Sequence, residues 1–596
     1  MSEPIGVIGS PSSTQTVTVD ILEKAAELAL HGQLVYLIQR LDTDNLFGIG
    51  TITEIRTLNR WHEDTNMRGV IKQHGPLPHL SAKGDVRTAE IRVQAVYSSQ
   101  SPDPRSGDPA TESGASLAMS PSTGTKIHQV TSGFLNALLR GRTDDIVYLG
   151  NIYRSDVRLP LTLRHFGTRD SSGAGEAYHT GIFGMTGSGK TSLAAYLVLA
   201  YLRHREMGVL IIDPQGQFTA GEGLPFSLHH AAKELDRAVF KYSISDGLKL
   251  PKDAPLLCEL LGLTRFFDRG LSIKAKDNSE IAAAEFRRII VSKQVNRPKQ
   301  GWEKQTAPVV LRAVLERLLN DGRAMERIYS GSARRALLAT TIGDILEKQE
   351  EFDRVLDYFG PIHSLFTDGT PGENRRTSLE DVVKNFLEAD REQRPLVMLD
   401  FSSTRSHHGS GSAHRLLDST AVKARILRKV CSLLARVAEG RYKDGSSLNT
   451  LVVFDEAHRF AAESADDEQS ELLAGRLTDY VRTTRKYGLG WMFITQEISS
   501  LRQRIYNQLR VRVFGYGLTS GRELRRLEDA IGDSSSLDLY RSFVDPAAVG
   551  HSAYPFMITG PVSPLSFTGA PVFLSVFTDH DEFRLENGYR KEDQAF

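Results

Sequence analysis

At 596 residues the chain is too long for one hydrophobic core, and roughly two to four domains are expected. Its 40% hydrophobic and 24% charged residues are ordinary for a globular protein. The 73 basic and 73 acidic side chains cancel, which excludes a uniformly basic nucleic-acid binder but not a protein that concentrates positive charge along a channel. Cys258 and Cys431 fit neither a disulfide framework nor a metal cluster and read as buried small hydrophobes in a reducing compartment. The start, MSEPIGVIGSP, has no charged segment leading into an apolar one, and no run approaches the ~20 apolar residues of a membrane span. A cytoplasmic protein without a membrane anchor is expected.

Residues 1–165 read as β-rich. VTVDI (17–21), QLVYLI (33–38), GTITEIRTL (50–58), EIRVQAV (90–96) and DIVYLGNIY (145–153) show alternation or β-branched enrichment, as in a small barrel or sandwich. LEKAAELALHG (22–32) reads as one helix ending at Gly32. The tract 98–125, rich in Ser, Pro, Gly, Asp and Thr, lacks the apolar residues to order itself and is expected to be a long disordered loop.

From about 166 the chain turns α/β. GIFGMTGSGKTS (181–192) holds G-x-x-x-x-G-K-T between an apolar run and a helical pattern at Leu193, Tyr196, Leu197 and Tyr201. A loop of this kind turns backbone N–H groups around a phosphate at a helix N-terminus. Gly184, Met185, Thr186, Gly187, Ser188, Gly189, Lys190, Thr191 and Ser192 are the expected nucleotide-binding residues. Lys190 would sit against the β- and γ-phosphates of ATP, and the Thr191 hydroxyl would ligate Mg²⁺.

GVLIIDPQGQF (208–218) reads as a buried parallel strand whose end reaches the same edge. Residues 225–392 read as a helical insertion, with one helix over 306–322 and another over 336–360. PLVMLDFSS (395–403) resumes the sheet. The loop 404–415 that follows carries His407, His408 and His414, and without a metal-ligand spacing it reads as an exposed glycine-rich loop. In TLVVFDEAHRF (450–460) four apolar residues end in Asp455, placed for the Mg²⁺ shell, and Glu456, placed to deprotonate an attacking water.

A helix over 467–487 ends in Arg482, Arg485 and Lys486. Either these cations complement the helix dipole or one is an arginine finger for a neighbouring subunit, and the residues alone weigh the two equally. WMFIT (491–495) ends at Gln496, either a γ-phosphate sensor or a polar strand cap. RVRVFGYGL (510–518) and PVFLSVFT (571–578) are further strands, and GRELRRLEDAIG (521–532) is a short charged helix.

Taken together, YHTGIFGMTGSGKTS (178–192), VLIIDPQGQF (209–218), PLVMLDFSS (395–403), LVVFDEAHRF (451–460) and TRKYGLGWMFITQEISSL (484–501) resemble the HerA family of hexameric DNA translocases, within the HerA/FtsK superfamily. The resemblance implies an N-terminal β-barrel (1–165), then a RecA-like P-loop motor (166–224 and 393–565) carrying the helical insertion (225–392). A C-terminal strand and tail (566–596) could brace a neighbouring subunit. It further implies a homohexamer that hydrolyses ATP on double-stranded DNA, with Arg485 as trans finger, Arg482 its substitute and Gln496 as sensor. Relatives work with a separately encoded nuclease or sirtuin-like NADase, some of them in antiphage defence, and such an effector partner is expected here. Gln215 and Gln217 depart from the family, which often has an acidic residue there. An ATP-gated scaffold that activates an effector without processive translocation is the alternative. A conjugation- or secretion-type motor is weaker for want of a membrane span.

Overall fold

Alternation in the first 130 residues closes into a barrel. The strands are β1 (Pro4–Ile8), β2 (Thr16–Ile21), β3 (Leu34–Arg40), β4 (Asn45–Asn59), β5 (Asp85–Ser99), β6 (Thr111–Gly114) and β7 (Lys126–Gln129). They pair in the order β2-β1-β7-β3-β4-β5-β6, and β2 also pairs with β5, which closes six strands and leaves β6 outside. Val17, Val19, Val35, Leu37, Ile52, Ile91 and Ile127 fill the interior. The computed structural model describes residues 3–589 except 42, 76, 78–83, 222, 246, 293–294, 296–300, 369–375, 388–392, 403–417, 551–552 and 568. The histidine-bearing loop 404–415 and the tail 590–596 lie outside these.

Two barrel segments differ from expectation. Over 22–32 only Glu23–Ala25 is helical, a single 3₁₀ turn, because Ala25 and Leu30 are both drawn into the barrel core and a spacing of five residues does not hold one helix face. The tract 98–125 is ordered at both its ends and its middle. β5 runs on to Ser99, β6 adds to it, Lys126 starts β7, and Leu117 is buried with its N–H donating to Thr14 O at 3.0 Å. One buried leucine and an available strand edge supply the order that composition does not announce.

Among the described residues the second sheet has eleven strands. They are β8 (Ile146–Ile152), β9 (Arg158–Thr162), β10 (Thr180–Phe183), β11 (Gly208–Asp213), β12 (Val239–Ser243), β15 (Leu396–Asp400), β16 (Thr450–Phe454), β17 (Leu489–Thr495), β18 (Val511–Gly515), β19 (Tyr554–Thr559) and β20 (Val572–Val576). β13 (Leu248–Lys249) and β14 (Thr377–Ser378) form a separate short ribbon. The order is β12-β15-β11-β16-β17-β10-β18-β19-β20-β8-β9, parallel from β12 to β18 and antiparallel from there on.

The strands are apolar along their length because both faces are covered. Val209, Ile211, Leu451, Val453, Met492 and Ile494 pack on the side of the helix Lys190–Leu202, whose residues from Leu193 onward are all buried. Leu210, Ile212, Val452, Phe454, Trp491 and Phe493 face the helices Thr420–Lys443 and Glu468–Thr484 and the insertion.

Three placements correct the sequence division. β8 and β9, assigned to the first 165 residues, pair into the large sheet, so the barrel ends before them. β12, inside the stretch read as helical, is an edge strand of that sheet. The helix expected over 336–360 is two, Ser332–Glu347 and Gln349–Ser364, broken at Lys348 (φ −101°, ψ 115°), which lets Phe352, Val355 and Phe359 fold back onto the core that holds Leu338 and Ile342. At the other end, β20 lies between β19 and β8 of its own chain rather than reaching outward.

Candidate active site

The loop after β10 is built by backbone geometry that a side chain would obstruct. Gly184 has φ 155°, and a Cβ there would lie 2.6 Å from Ser188 Oγ and 3.2 Å from Gly515 Cα. Gly189, the residue before the helix, has φ 85°. Ser188 N–H donates to Met185 O at 3.1 Å, while Gly184 N–H and Met185 N–H donate to Gln496 O (3.3 Å) and Tyr516 O (3.0 Å), each the residue just past a flanking strand. The loop is thus tied to β17 on one side and β18 on the other. Lys190 folds back and donates to Met185 O at 2.9 Å. Burial holds its pKa below the usual lysine range, against the pull of Glu456 and Asp455.

At the end of β16, Asp455 is 2% exposed and its Oδ2 has no hydrogen-bond partner among the described residues. Burial, and then the charges of Asp213 and Glu456, push its carboxyl up to about 7, with Lys190 opposing. Glu456 adopts left-handed backbone, φ 47°, a conformation that costs a non-glycine residue on the order of 1–3 kcal/mol and turns its side chain out of the strand direction. Its Oε2 lies 3.2 Å from Nδ1 of His458, a neighbour that sequence reasoning did not single out. Gln496, just past β17, accepts from Thr186 Oγ1 at 3.2 Å.

These groups line one cavity of about 280 Å³. Thr186, Gly187, Gly189, Lys190, Thr191, Ser192, Asp455, Glu456 and Gln496 border it, whereas Gly184, Met185 and Ser188 shape the loop from behind. Gln217, Gly223, Ile494, Thr495 and Tyr554 complete the lining and were not anticipated. Asp213 does not face the cavity; its carboxylate accepts from Gln217 N–H (3.0 Å), Thr219 N–H (2.8 Å) and Thr219 Oγ1 (2.9 Å), and so fixes the turn that presents Gln217.

The remaining candidate lies elsewhere. Arg485 is half-exposed at the opposite edge of the sheet, where Ala177 N–H donates to its carbonyl (3.0 Å) and its Nε lies 3.2 Å from Glu176 Oε2. The other Glu176 oxygen pairs with Arg510. Arg482 is exposed one turn earlier, and Lys486 lies 5.4 Å from the rings of Tyr442 and Tyr487.

The donor set suits a magnesium nucleotide. A helix N-terminus and a lysine face the cavity together with a threonine hydroxyl, and a buried carboxylate oxygen there is left without a partner. Thr191 and Asp455 are the residues that would hold the ion.

Among the described residues no helix is long and apolar enough to cross a membrane. Among solved structures the chain is similar to VirB4 of Thermoanaerobacter pseudethanolicus, at 14% identity and TM-score 0.38, over 74% of this chain and 98% of that one. It is also similar to the bacterial conjugative coupling protein TrwBdeltaN70, at 13% identity and TM-score 0.38, over 76% and 92%. A third is the genome packaging NTPase B204 from Sulfolobus turreted icosahedral virus 2 in complex with ATP-gammaS, at 16% identity and TM-score 0.21, over 34% and 72%. No curated protein matches. Residues 177–430, from the strand before the phosphate loop into the helix Thr420–Lys443, match the family described as "Helicase HerA, central domain". Through this segment, less than half of its length, the chain is similar to the HerA family.

Proposed function

We propose that the protein is an ATP hydrolase that translocates on double-stranded DNA as a homohexameric ring, with nucleotide bound between subunits. The observation that supports it best is the convergence of the phosphate loop, Asp455, Glu456 and Gln496 on one cavity, with Asp455 Oδ2 unpartnered there. Loop N–H groups and the Lys190 ammonium would bind the phosphates and offset their charge. Mg²⁺, held by Thr191 and Asp455, supplies charge neutralisation on the phosphate oxygens when bound. Glu456 would orient a water and accept its proton. Gln496, bonded to Thr186 and through its carbonyl to Gly184, is suited to report whether a γ-phosphate is present. Arg485 faces away from this cavity, which suits a finger for the next subunit.

A second reading, in which ATP gates a scaffold that activates a nuclease or sirtuin-like NADase carried on another chain, is favoured by one surface. The outer ends of β4 and β5 leave Leu58 (57%), Trp61 (51%) and Val86 (49%) exposed, apolar area suited to a partner protein. Glu456→Gln separates the readings. Loss of hydrolysis together with loss of effector activation supports the motor, and effector activation that survives without hydrolysis supports the scaffold.

A further inference from the structure

The sheet order sorts the groups around the phosphate loop. β16 and β17 lie on one side of β10 and deliver Asp455, Glu456 and Gln496. β18 and β19 lie on the other. Because β19 runs antiparallel to β18, its first residue arrives at the edge where the parallel strands end. Gly515, the last residue of β18, is opposite Phe556, so Tyr554 extends two residues past it toward the loop. The Tyr554 ring covers Gly189 so closely that a Cβ at 189 would fall 2.5 Å from its Cδ1 and 2.7 Å from its Cγ. Among the described residues it is the one aromatic side chain that lines the cavity.

We infer that Tyr554 is the platform for the nucleobase. This rests on the ATP reading above. The terminal phosphate must lie toward Glu456 and Gln496 for water to be activated there. A phosphate chain crossing the start of the helix Lys190–Leu202 then runs away from β16 and β17, and its nucleoside end emerges on the β18–β19 side. An aromatic face at that position binds any base by stacking, with little preference for its hydrogen-bonding edge. The glycine at 189 allows ring and phosphate loop to approach each other, so one tyrosine both borders the loop and lines the cavity.

The test is calorimetric titration of the full-length protein with Mg²⁺ and, separately, ATP, GTP and inorganic tripolyphosphate, for wild type, Tyr554→Ala, Tyr554→Phe and Lys190→Ala. Tyr554→Ala is expected to weaken ATP and GTP binding by about 10- to 100-fold. It should leave tripolyphosphate binding unchanged, and Tyr554→Phe should bind all three as wild type does. Unchanged ATP binding in Tyr554→Ala overturns the inference. So does an equal loss for ATP and tripolyphosphate, which would make the ring a support of the loop only. A wild type that binds neither ATP nor tripolyphosphate, or a Lys190→Ala variant that binds both normally, sinks the nucleotide reading itself and the inference with it.

Discussion

Arg485 and Gln496 stand at opposite ends of β17. The strand spans seven residues, Leu489–Thr495, so at ~3.3 Å per residue the two are separated by roughly 20 Å. Gln496 meets the phosphate loop, and Arg485 meets Glu176 before β10 begins. No rotamer of Arg485 bridges that length to its own chain's cavity.

Arg485→Ala is therefore expected to reduce turnover by ~10³-fold or more while nucleotide binding to the isolated chain persists. Mixing provides the sharper check. Arg485→Ala subunits keep a complete loop and Glu456, whereas Glu456→Gln subunits keep Arg485, the proposed finger. Assembled together they should recover part of the activity that each lacks alone; a mixture as inactive as its components would contradict a shared site.

Glu456→Gln keeps the shape of the cavity and removes the proposed proton acceptor. Turnover should fall by about 10²–10⁴-fold, with ATP affinity retained. Single-turnover quench measurements beside equilibrium binding would reveal a variant that still hydrolyses, and with it a different base.

Acid should weaken the segment that carries Arg485. His179 is buried, its Nε2 lies 2.8 Å from Val481 O, and Trp491 N–H donates to its Nδ1 at 3.2 Å. Burial lowers its pKa from 6.5 to about 4, with Arg485 also lowering it. The unfolded chain then binds the extra proton first, so this contribution is complete above pH 6.5 and is lost as pH falls toward 4, on the order of 3 kcal/mol. Urea midpoints measured across that range should fall with pH, and fall less in His179→Gln.

The C-terminal segment is a strap on its own chain. Where β20 has ended, the Asn587 side chain accepts from Tyr148 N–H at 2.9 Å and donates to Tyr148 O at 2.8 Å, as a neighbouring strand would. Arg158 Nη2 lies 2.7 Å from Glu582 and 3.0 Å from Glu586. Asn587→Ala is expected to cost about 1–3 kcal/mol, because it leaves both backbone groups of Tyr148 without these bonds. Limited proteolysis should then release the segment from residue 579 onward earlier than in wild type.

Local signals made the phosphate loop legible. Gly184, Gly189, Lys190 and Thr191 sit in eight consecutive residues between an apolar run and a helical pattern, so the sequence contains the whole device. Asp455 and Glu456 were readable because an unbroken apolar strand, buried on both faces, can end only at a sheet edge. What escaped depends on distant pairing. Nothing within IVYLGNI marks it for the large sheet, since its partner β20 begins 420 residues after β8 ends, 572 against 152. Tyr554 escaped because its strand joins the sheet antiparallel, and only that direction carries its first residue to the phosphate loop. The break at Lys348 escaped for a related reason, as its flanks are both good helix and only the fold-back onto a shared core divides them.

The most direct test of the motor is steady-state ATP hydrolysis by the purified protein, with and without linear duplex DNA, beside Lys190→Ala. The account predicts strong stimulation by duplex that disappears in Lys190→Ala. Hydrolysis indifferent to DNA, or ATP bound and never hydrolysed in any condition, would contradict it.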